Sequence, residues 1–169
     1  MSELASNFLA HLQRLKTQDR GALARLRRSL AHDPGTDPQV YPYVEPFVGA
    51  DWHALDSRRL ALHLAAGLFA LNPVHTEERS LAEAFGSTAK ARESGSLELR
   101  FMALLGAGPE QFPVLLRQIV NLLDGQAYHQ ARLIEDLQTW LHPMATDRRD
   151  RLRQIWARDF YRHYTPSAH

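Results

Sequence analysis

The sequence contains no cysteine, and 18 of its 20 basic residues are arginine, with Lys16 and Lys90 as the only lysines. The absence of cysteine excludes a disulfide framework, a zinc finger built on thiolates and catalysis by a thiol. Valine and isoleucine together number nine, against 48 leucines and alanines, and this shortage of β-branched residues favours helix over strand. No apolar run approaches the roughly 20 residues that cross a bilayer, so we expect a cytoplasmic protein with no membrane partner.

Motifs for common catalytic chemistries are also missing. Neither lysine follows a glycine, which excludes a P-loop, and no G-x-S-x-G pattern marks a hydrolase nucleophile. The nine histidines never stand three or four residues apart and no Glu-x-x-His occurs, so the ligand spacing of a di-iron helical bundle is absent. We interpret three histidine–carboxylate pairs as helix caps and surface ion pairs: His53 with Asp56, His75 with Glu78, and His163 with Asp159. The sequence therefore predicts no enzyme activity, no metal, no cofactor and no small-molecule substrate.

Charge is unevenly distributed along the chain. Residues 1–32 carry six basic and two acidic groups, and residues 147–169 carry six basic and three acidic groups. Residues 33–57 carry five acidic groups and no basic one. Because the planar guanidinium suits bidentate contact with phosphate, the two basic segments are compatible with a polyanion-binding face, although a solvated helix face has the same composition. The acidic, proline-rich segment 33–57 would be repelled by phosphate and is assigned to protein contacts or to the core.

Apolar residues at helical spacing predict an all-α fold of eight or nine helices. Asp19 and Asp37 stand where N-caps are expected, and a long helix is predicted from about Asp56 to Leu71. Thr76 is the predicted cap of the next helix, which runs to about Ala91. Four further helices are predicted, at about 97–106, 110–123, 127–141 and 147–164. The small polar residues 93–96 suggest a boundary between two helical lobes, 1–94 and 95–169, with Trp140 and Trp156 buried in the second.

An ordered succession of short motifs resembles the CasB family, the small subunits of the type I-E CRISPR surveillance complex, Cascade. The resemblance spans nearly the whole chain, and it depends on the order and spacing of the motifs more than on any one of them. The motifs are Leu26–Leu30 (LRRSL), Tyr43–Phe47 (YVEPF), Ser80–Phe85, Arg100–Leu105, Leu116–Val120, Ala131–Leu133 and Trp156–Tyr161. One departure is Glu83, where similar proteins often carry a basic residue, so a contact assigned there in relatives cannot be carried over.

The resemblance implies an all-α, two-lobed and non-enzymatic protein. Two copies of such a subunit lie beside the repeated CasC backbone and the CasA large subunit. They help to hold the hybrid of crRNA and target DNA, and the displaced DNA strand, without base specificity. The expected partners are therefore CasC, CasA, a second copy of the chain, crRNA and target DNA.

Seven arginines are candidates for contact with the nucleic-acid backbone: Arg27, Arg28, Arg117, Arg132, Arg151, Arg158 and Arg162. Arg28 lies opposite the Leu23/Leu26/Leu30 stripe, whereas Arg27 could instead pair with an acid of segment 33–57. Arg117 faces away from the apolar side of its helix, and Arg132 could serve either binding or structure. The last three form one stripe on the closing helix, which subunit docking could use as well as phosphate.

Other residues of the last helices have structural interpretations. Arg100, flanked by Leu97 and Leu104, is predicted to anchor the lobes through a carboxylate. The core side of the closing helix is predicted to carry four residues: Leu152, Ile155, Trp156 and Phe160. Tyr161 and Tyr164 could stack on bases, although packing in the core or at an interface is the alternative.

Two other classes of protein are alternatives to the Cascade subunit. A stand-alone helical DNA-binding regulator would need a helix-turn-helix with polar base-reading side chains early in its second helix. The best local candidate, Gly108–Gln111, places Glu110 where the DNA would lie. A metal-dependent bundle enzyme fails on the ligand spacing described above.

Overall fold

The computed structural model describes residues 2–165, and over that range the chain is helical. Nine α-helices follow one another: α1 (Glu3–Gln18), α2 (Arg20–Arg28), α3 (Tyr41–Val44), α4 (Ser57–Leu71), α5 (Leu81–Ala91), α6 (Gly95–Leu105), α7 (Phe112–Leu122), α8 (Gln130–Trp140) and α9 (Thr146–Tyr164). Within residues 2–165 the only β contact is a single bridge between His75 and Tyr128. The prediction of an all-α fold is confirmed. None of the described helices is long and apolar enough to cross a membrane.

The two predicted aspartate caps, Asp19 and Asp37, are present, and the structure adds a third. Asp19 accepts from the backbone N–H of Ala22 at 3.0 Å, and Asp37 caps the 3-10 turn at Pro38–Val40. Asp56 caps α4. Each cap satisfies a backbone donor that the first helical turn leaves unpaired.

The prediction that Thr76 caps the following helix is wrong. Helix α5 begins at Leu81, and Ser80 is its N-cap. Ser80 accepts from the backbone N–H of Glu83, and the Glu83 carboxylate accepts in return from the backbone N–H of Ser80, each at 3.1 Å. This reciprocal capping box satisfies two donors, whereas Thr76 Oγ1 only accepts from the N–H of Glu78 in a turn.

Helix α4 is the centre of the fold. All residues from 61 to 70 are buried, so every face of this part of the helix is covered. The helix is enclosed because α2, α7 and α8 all pack against it. Gly67 permits the close approach of α2 and of the turn after it, since a Cβ there would lie 3.2 Å from the carbonyl oxygen of Leu26 and 2.6 Å from a methyl carbon of Leu30.

Helix α9 packs along α5 and closes the other side of the core. Gly86 on α5 lies so close to α9 that a Cβ would be 2.4 Å from the carbonyl oxygen of Phe160. Phe101 stacks on Phe160 with ring centroids 4.2 Å apart. Trp140 and Trp156 are 0% and 3% exposed, which confirms their predicted burial.

Helices from both sides of residue 94 contribute to the buried hydrophobic cluster. Helix α5 precedes that position and packs against α9, and α4 likewise packs against α8. Glu93, with a φ of 49°, ends the turn that follows α5. The division into lobes 1–94 and 95–169 stays a prediction.

Candidate nucleic-acid interface

Arg27 and Arg28 lie in the last turn of α2 and are both exposed. Within the part of the chain that the structure describes, neither side chain forms an ion pair. The alternative pairing of Arg27 with an acid of segment 33–57 is therefore not formed. Both guanidinium groups keep an uncompensated charge at the surface.

Segment 33–57 packs on α4 through Arg59 instead. The Arg59 Nη2 lies 2.6 Å from Glu45 Oε1 and also donates to the carbonyl of Gly35 at 3.1 Å. The hydroxyl of Tyr41 donates to that same carbonyl at 2.9 Å. His63 lies beneath this cluster, where burial and then the charge of Arg59 lower its pKa to about 4. Segment 33–57 thus makes contacts within the protein, as its acidity predicted.

Arg117 projects from α7 towards the end of α2. It is exposed, and its Nη1 donates to the carbonyl of Leu30 at 3.0 Å. Leu30 lies in the 3-10 turn that directly follows Arg28. The fold therefore brings Arg117 to the turn after Arg27 and Arg28, although 87 residues separate it from Leu30 along the chain. We call the surface formed by Arg27, Arg28 and Arg117 the α2–α7 surface.

Arg132 has a different environment from the other candidates. It is half-buried, and its Nη2 lies 3.5 Å from Oδ2 of Asp159. The same oxygen accepts from Ser80 Oγ at 2.9 Å. Arg132 therefore belongs to a polar network that joins α5, α8 and α9, and its charge is compensated inside the protein.

Arg151, Arg158 and Arg162 lie along the exposed side of α9. None of the three forms an ion pair within residues 2–165. Ile155 stands on the same side and is 41% exposed, so its predicted place in the core is wrong. Positions 151, 155, 158 and 162 follow one another at helical spacing, which puts Ile155 on the arginine stripe. We call these four residues the α9 face.

Arg100 does not anchor the lobes through a carboxylate, so that prediction is wrong. It is exposed on α6, and its Nη1 donates to Oε1 of Gln118 on α7 at 3.1 Å. Two arginines that were not candidates hold neighbouring segments in place. Arg59 holds segment 33–57 as described, and the buried Arg149 donates to the carbonyl of His142. Spacing along one helix could not distinguish these roles, because each partner lies on another segment.

Tyr161 and Tyr164 pack against the core, which was the alternative to stacking on bases. Both are half-buried, and both rings contact Phe160. The Tyr161 hydroxyl donates to Glu98 Oε2 at 2.9 Å. Burial and this carboxylate raise the pKa of Tyr161 to about 12.

The carboxylate–histidine pairs expected from spacing are rearranged in the fold. His163 lies 2.9 Å from Glu83 rather than pairing with Asp159. Burial acts to raise the pKa of Glu83, but hydrogen bonds from Ser80 and His163 outweigh it and lower that pKa. Among the residues described, no group of three or more histidine, aspartate or glutamate side chains could hold a metal ion. Glu83 thus has a structural role in the first turn of α5.

Comparison with known proteins identifies the family. The model of the family described as CRISPR-associated protein Cse2 matches residues 22–161. A CRISPR-associated protein Cse2 from Thermus thermophilus is 42% identical over 158 residues, covering 91% of this chain and 88% of that protein. The crystal structure of CasB from Thermus thermophilus is 40% identical, with a TM-score of 0.80 over 95% of this chain and 99% of that one. A chain of a CRISPR RNA-guided surveillance complex is only 20% identical but shares the fold, with a TM-score of 0.77 over 96% of this chain and 94% of that one.

The all-helical fold and these similarities place the chain among the CRISPR-associated proteins. The chain belongs to the Cse2 family, whose solved structures also carry the name CasB. The resemblance that the ordered motifs indicated is confirmed. The match begins at residue 22 and ends at residue 161, so it includes the α2–α7 surface and all but the last residue of the α9 face.

Proposed function

We propose that the chain is a non-catalytic subunit of a Cascade surveillance complex and that it binds the phosphate backbone of nucleic acids without reading their sequence. The family and the fold shared with a chain of a CRISPR RNA-guided surveillance complex support membership of the complex. The observation that carries the binding role is that six of the seven predicted arginines are exposed and form no ion pair within residues 2–165. These six are Arg27, Arg28, Arg117, Arg151, Arg158 and Arg162.

Backbone contact is the chemistry that such a complex needs from a protein subunit. Guide RNA reads the target by base pairing, so a protein that holds the strands requires phosphate contacts but no base readout. A displaced single strand is held by a positively charged surface that follows its backbone. The subunit accordingly stabilises the crRNA–target hybrid and the displaced DNA strand in antiviral defence. Its proposed protein partners are CasC, CasA and a second copy of itself, in the cytoplasm.

The two arginine surfaces differ from Arg132 in what they offer a ligand. The α2–α7 surface and the α9 face carry charges with no acidic partner, and each guanidinium has several N–H groups available for phosphate oxygens. Arg132 faces Asp159, so contact with phosphate would have to compete with a buried carboxylate. We therefore place the nucleic-acid contacts on the two surfaces and give Arg132 a structural role.

The α9 face provides the decisive experiment. The variant R151A/R158A/R162A, assembled with the other Cascade subunits, should bind target DNA more weakly than the complete complex. The slope of log affinity against log salt should fall in magnitude by about 2, because each lost single-strand phosphate contact removes about 0.7. Arg14→Ala, at an exposed arginine of α1, is the control and should leave the slope unchanged. An unchanged slope in the triple variant would remove the α9 face from the proposal.

The same titration separates the proposed role from that of a stand-alone regulator. A regulator prefers its own site over other duplexes by several orders of magnitude. The isolated chain should instead bind oligonucleotides of different sequence with equal affinity at each salt concentration. A strong preference for one duplex would favour the regulator.

A further inference from the structure

A small acidic pocket lies between segment 33–57, α4 and the start of α7. Its volume is about 90 Å³, well below the roughly 300 Å³ of the smaller pockets that bind free ligands. Three carboxylates and one guanidinium line it, those of Asp33, Asp37, Glu110 and Arg117. The pocket therefore carries net negative charge and has room for a single side chain.

The three carboxylates are not neutralised from within the protein. Asp33, Asp37 and Glu110 form no ion pair within residues 2–165, and Arg117 donates instead to the carbonyl of Leu30 at 3.0 Å. Asp37 is only 8% exposed, and its Oδ1 accepts from the backbone N–H of Gln39 at 3.0 Å. Because a buried carboxylate is unfavourable without a cationic partner, this site favours a cation from outside the chain.

A buried imidazole adds an unpartnered polar group to the same pocket. His63 lines it from α4 and is 4% exposed. Its Nε2 forms no hydrogen bond among the described residues and lies 3.8 Å from Oε2 of Glu45, which also has no partner. Buried polar groups in native proteins are nearly always hydrogen-bonded. Since burial and then the charge of Arg59 lower the pKa of His63 to about 4, the imidazole is uncharged at neutral pH and does not repel a cation.

The remaining walls of the pocket are largely apolar. Long basic side chains bury their methylene stems on such surface while the charged head reaches polar groups. A phosphate would be repelled by the carboxylates, and no group of three or more metal-ligating side chains among the described residues could hold a metal ion. The apolar residues of the lining are Leu30, Pro34, Val40, Leu64, Pro113 and Val114.

We propose that this pocket receives an arginine or lysine side chain from a neighbouring subunit of the complex. The methylene stem lies along the apolar walls, and the charged head donates to the carboxylates of Asp33, Asp37 and Glu110. The proposal rests on the proposed function, since it takes the chain to be one subunit of an assembly. It gives the acidic segment 33–57 a protein partner next to the arginines of the α2–α7 surface.

The side chain comes from a different protein, not from a second copy of this chain. Two acidic pockets facing each other would repel, so a second copy would have to present a basic surface from elsewhere on the chain. Such a head-to-tail contact joins two different surfaces, and it continues from copy to copy instead of closing on a pair. A different subunit that presents one basic side chain closes the contact at once.

The variant Asp33→Asn/Glu110→Gln tests the pocket by removing two charges at nearly constant shape. We expect the affinity of the subunit for a complex assembled without it to fall about tenfold. The control Asp51→Asn/Glu77→Gln removes the same charge from two exposed positions and should assemble like the native chain. The thermal midpoint of the isolated test variant should stay the same or rise, because like charges are removed. Equal affinities of the test and control variants would overturn the proposal.

Photo-cross-linking identifies the occupant of the pocket directly. Val114 lines the pocket and is 62% exposed, so p-benzoylphenylalanine is introduced at this position and the complex is assembled and irradiated. We expect a cross-link to a peptide of a different subunit that contains an arginine or lysine, with a lower yield when Asp33→Asn/Glu110→Gln is present. A cross-link to crRNA or DNA, or to a second copy of the chain, would overturn the proposal.

The assembly titration separates failure of the pocket from failure of the proposed function. If the native subunit does not join the other Cascade subunits, the proposed function fails and the pocket loses its partner with it. If the native subunit joins them and the test variant binds as tightly as the control, only the pocket fails. The expected result is that the native and control subunits assemble alike and the test variant assembles about tenfold more weakly.

Discussion

The indole Nε1 of Trp156 on α9 donates a hydrogen bond to Oδ2 of Asp136 on α8 at 2.8 Å. The same two helices are also joined by the Arg132–Asp159 pair and by the Trp140–Trp156 pair, whose ring centroids are 5.5 Å apart. Burial raises the pKa of Asp136 from 3.8 to about 6, against the opposing effects of the Trp156 hydrogen bond and the charge of Arg132. The carboxyl is thus a titrating group at a helix–helix contact.

Asp136 makes stability depend on pH. Because its folded-state pKa lies above the unfolded value, its stabilising contribution is fully present below about pH 3.8 and is lost as pH rises through about 6. Asp136→Asn keeps an acceptor for Trp156 and removes the titration. We expect the free energy of unfolding of the variant, relative to the native chain, to rise by about 1 kcal/mol between pH 5 and pH 7.5. Urea titrations across this range check it, with Asp33→Asn at an exposed position as the control for net charge.

Gly86→Ala tests the contact between α5 and α9. An added Cβ would lie 2.4 Å from the carbonyl oxygen of Phe160, so one helix must shift. We expect a loss of about 1–3 kcal/mol in the free energy of unfolding. Gly95→Ala, where a Cβ meets nothing within 4 Å, should be neutral or slightly stabilising. Similar destabilisation in both variants would contradict the close approach of the two helices.

The neighbouring arginines Arg58 and Arg59 should differ in their contribution to stability. Arg59→Ala leaves Glu45 and the carbonyl of Gly35 without their half-buried donor, and we expect a loss of about 2–3 kcal/mol. Arg58→Ala removes an exposed pair with Asp56 and should leave the unfolding midpoint nearly unchanged. Chemical denaturation of the two variants side by side measures the difference. An equal effect would show that Arg59 does not hold segment 33–57.

Substitution of Arg28 should weaken nucleic-acid binding, whereas substitution of Arg132 should reduce the stability of the fold. Arg28→Ala should flatten the salt slope of nucleic-acid binding by somewhat less than one unit and leave the thermal midpoint unchanged, because Arg28 is exposed and unpaired among the described residues. Arg132→Ala should reduce stability by about 1 kcal/mol, since it removes the partner of Asp159. It should leave the slope unchanged. The reverse pattern would return Arg132 to the nucleic-acid surface and make Arg28 a structural residue.

Local features of the chain were predictable because they involve residues close together in sequence. Asp19 and Asp37 cap elements whose first turn they adjoin. The misplaced cap at Thr76 arose because two caps were available within a few residues. Ser80 prevails since Glu83 completes a capping box.

Burial was predictable for the large apolar side chains of Trp140 and Trp156, because every plausible orientation of their helices turns them towards the core. It failed at Ile155, because the part of α9 covered by α5, α6 and α8 is narrower than its apolar stripe. The width of a covered stripe depends on the neighbouring helices. Periodicity within one helix carries no information about it.

The sequence by itself determined that this chain is helical, where most of its helices begin, and which family it joins. The tertiary structure alone decided which arginines remain available to a ligand. The sequence predicted a carboxylate partner for Arg100 and left the role of Arg132 open, yet Arg100 meets the amide of Gln118 and Arg132 the carboxylate of Asp159. Helix formation and capping depend on interactions within about four residues, whereas the partner of a long side chain is set by packing between distant segments. The positive charge available at the surface belongs to the arginines that this packing leaves without a carboxylate partner.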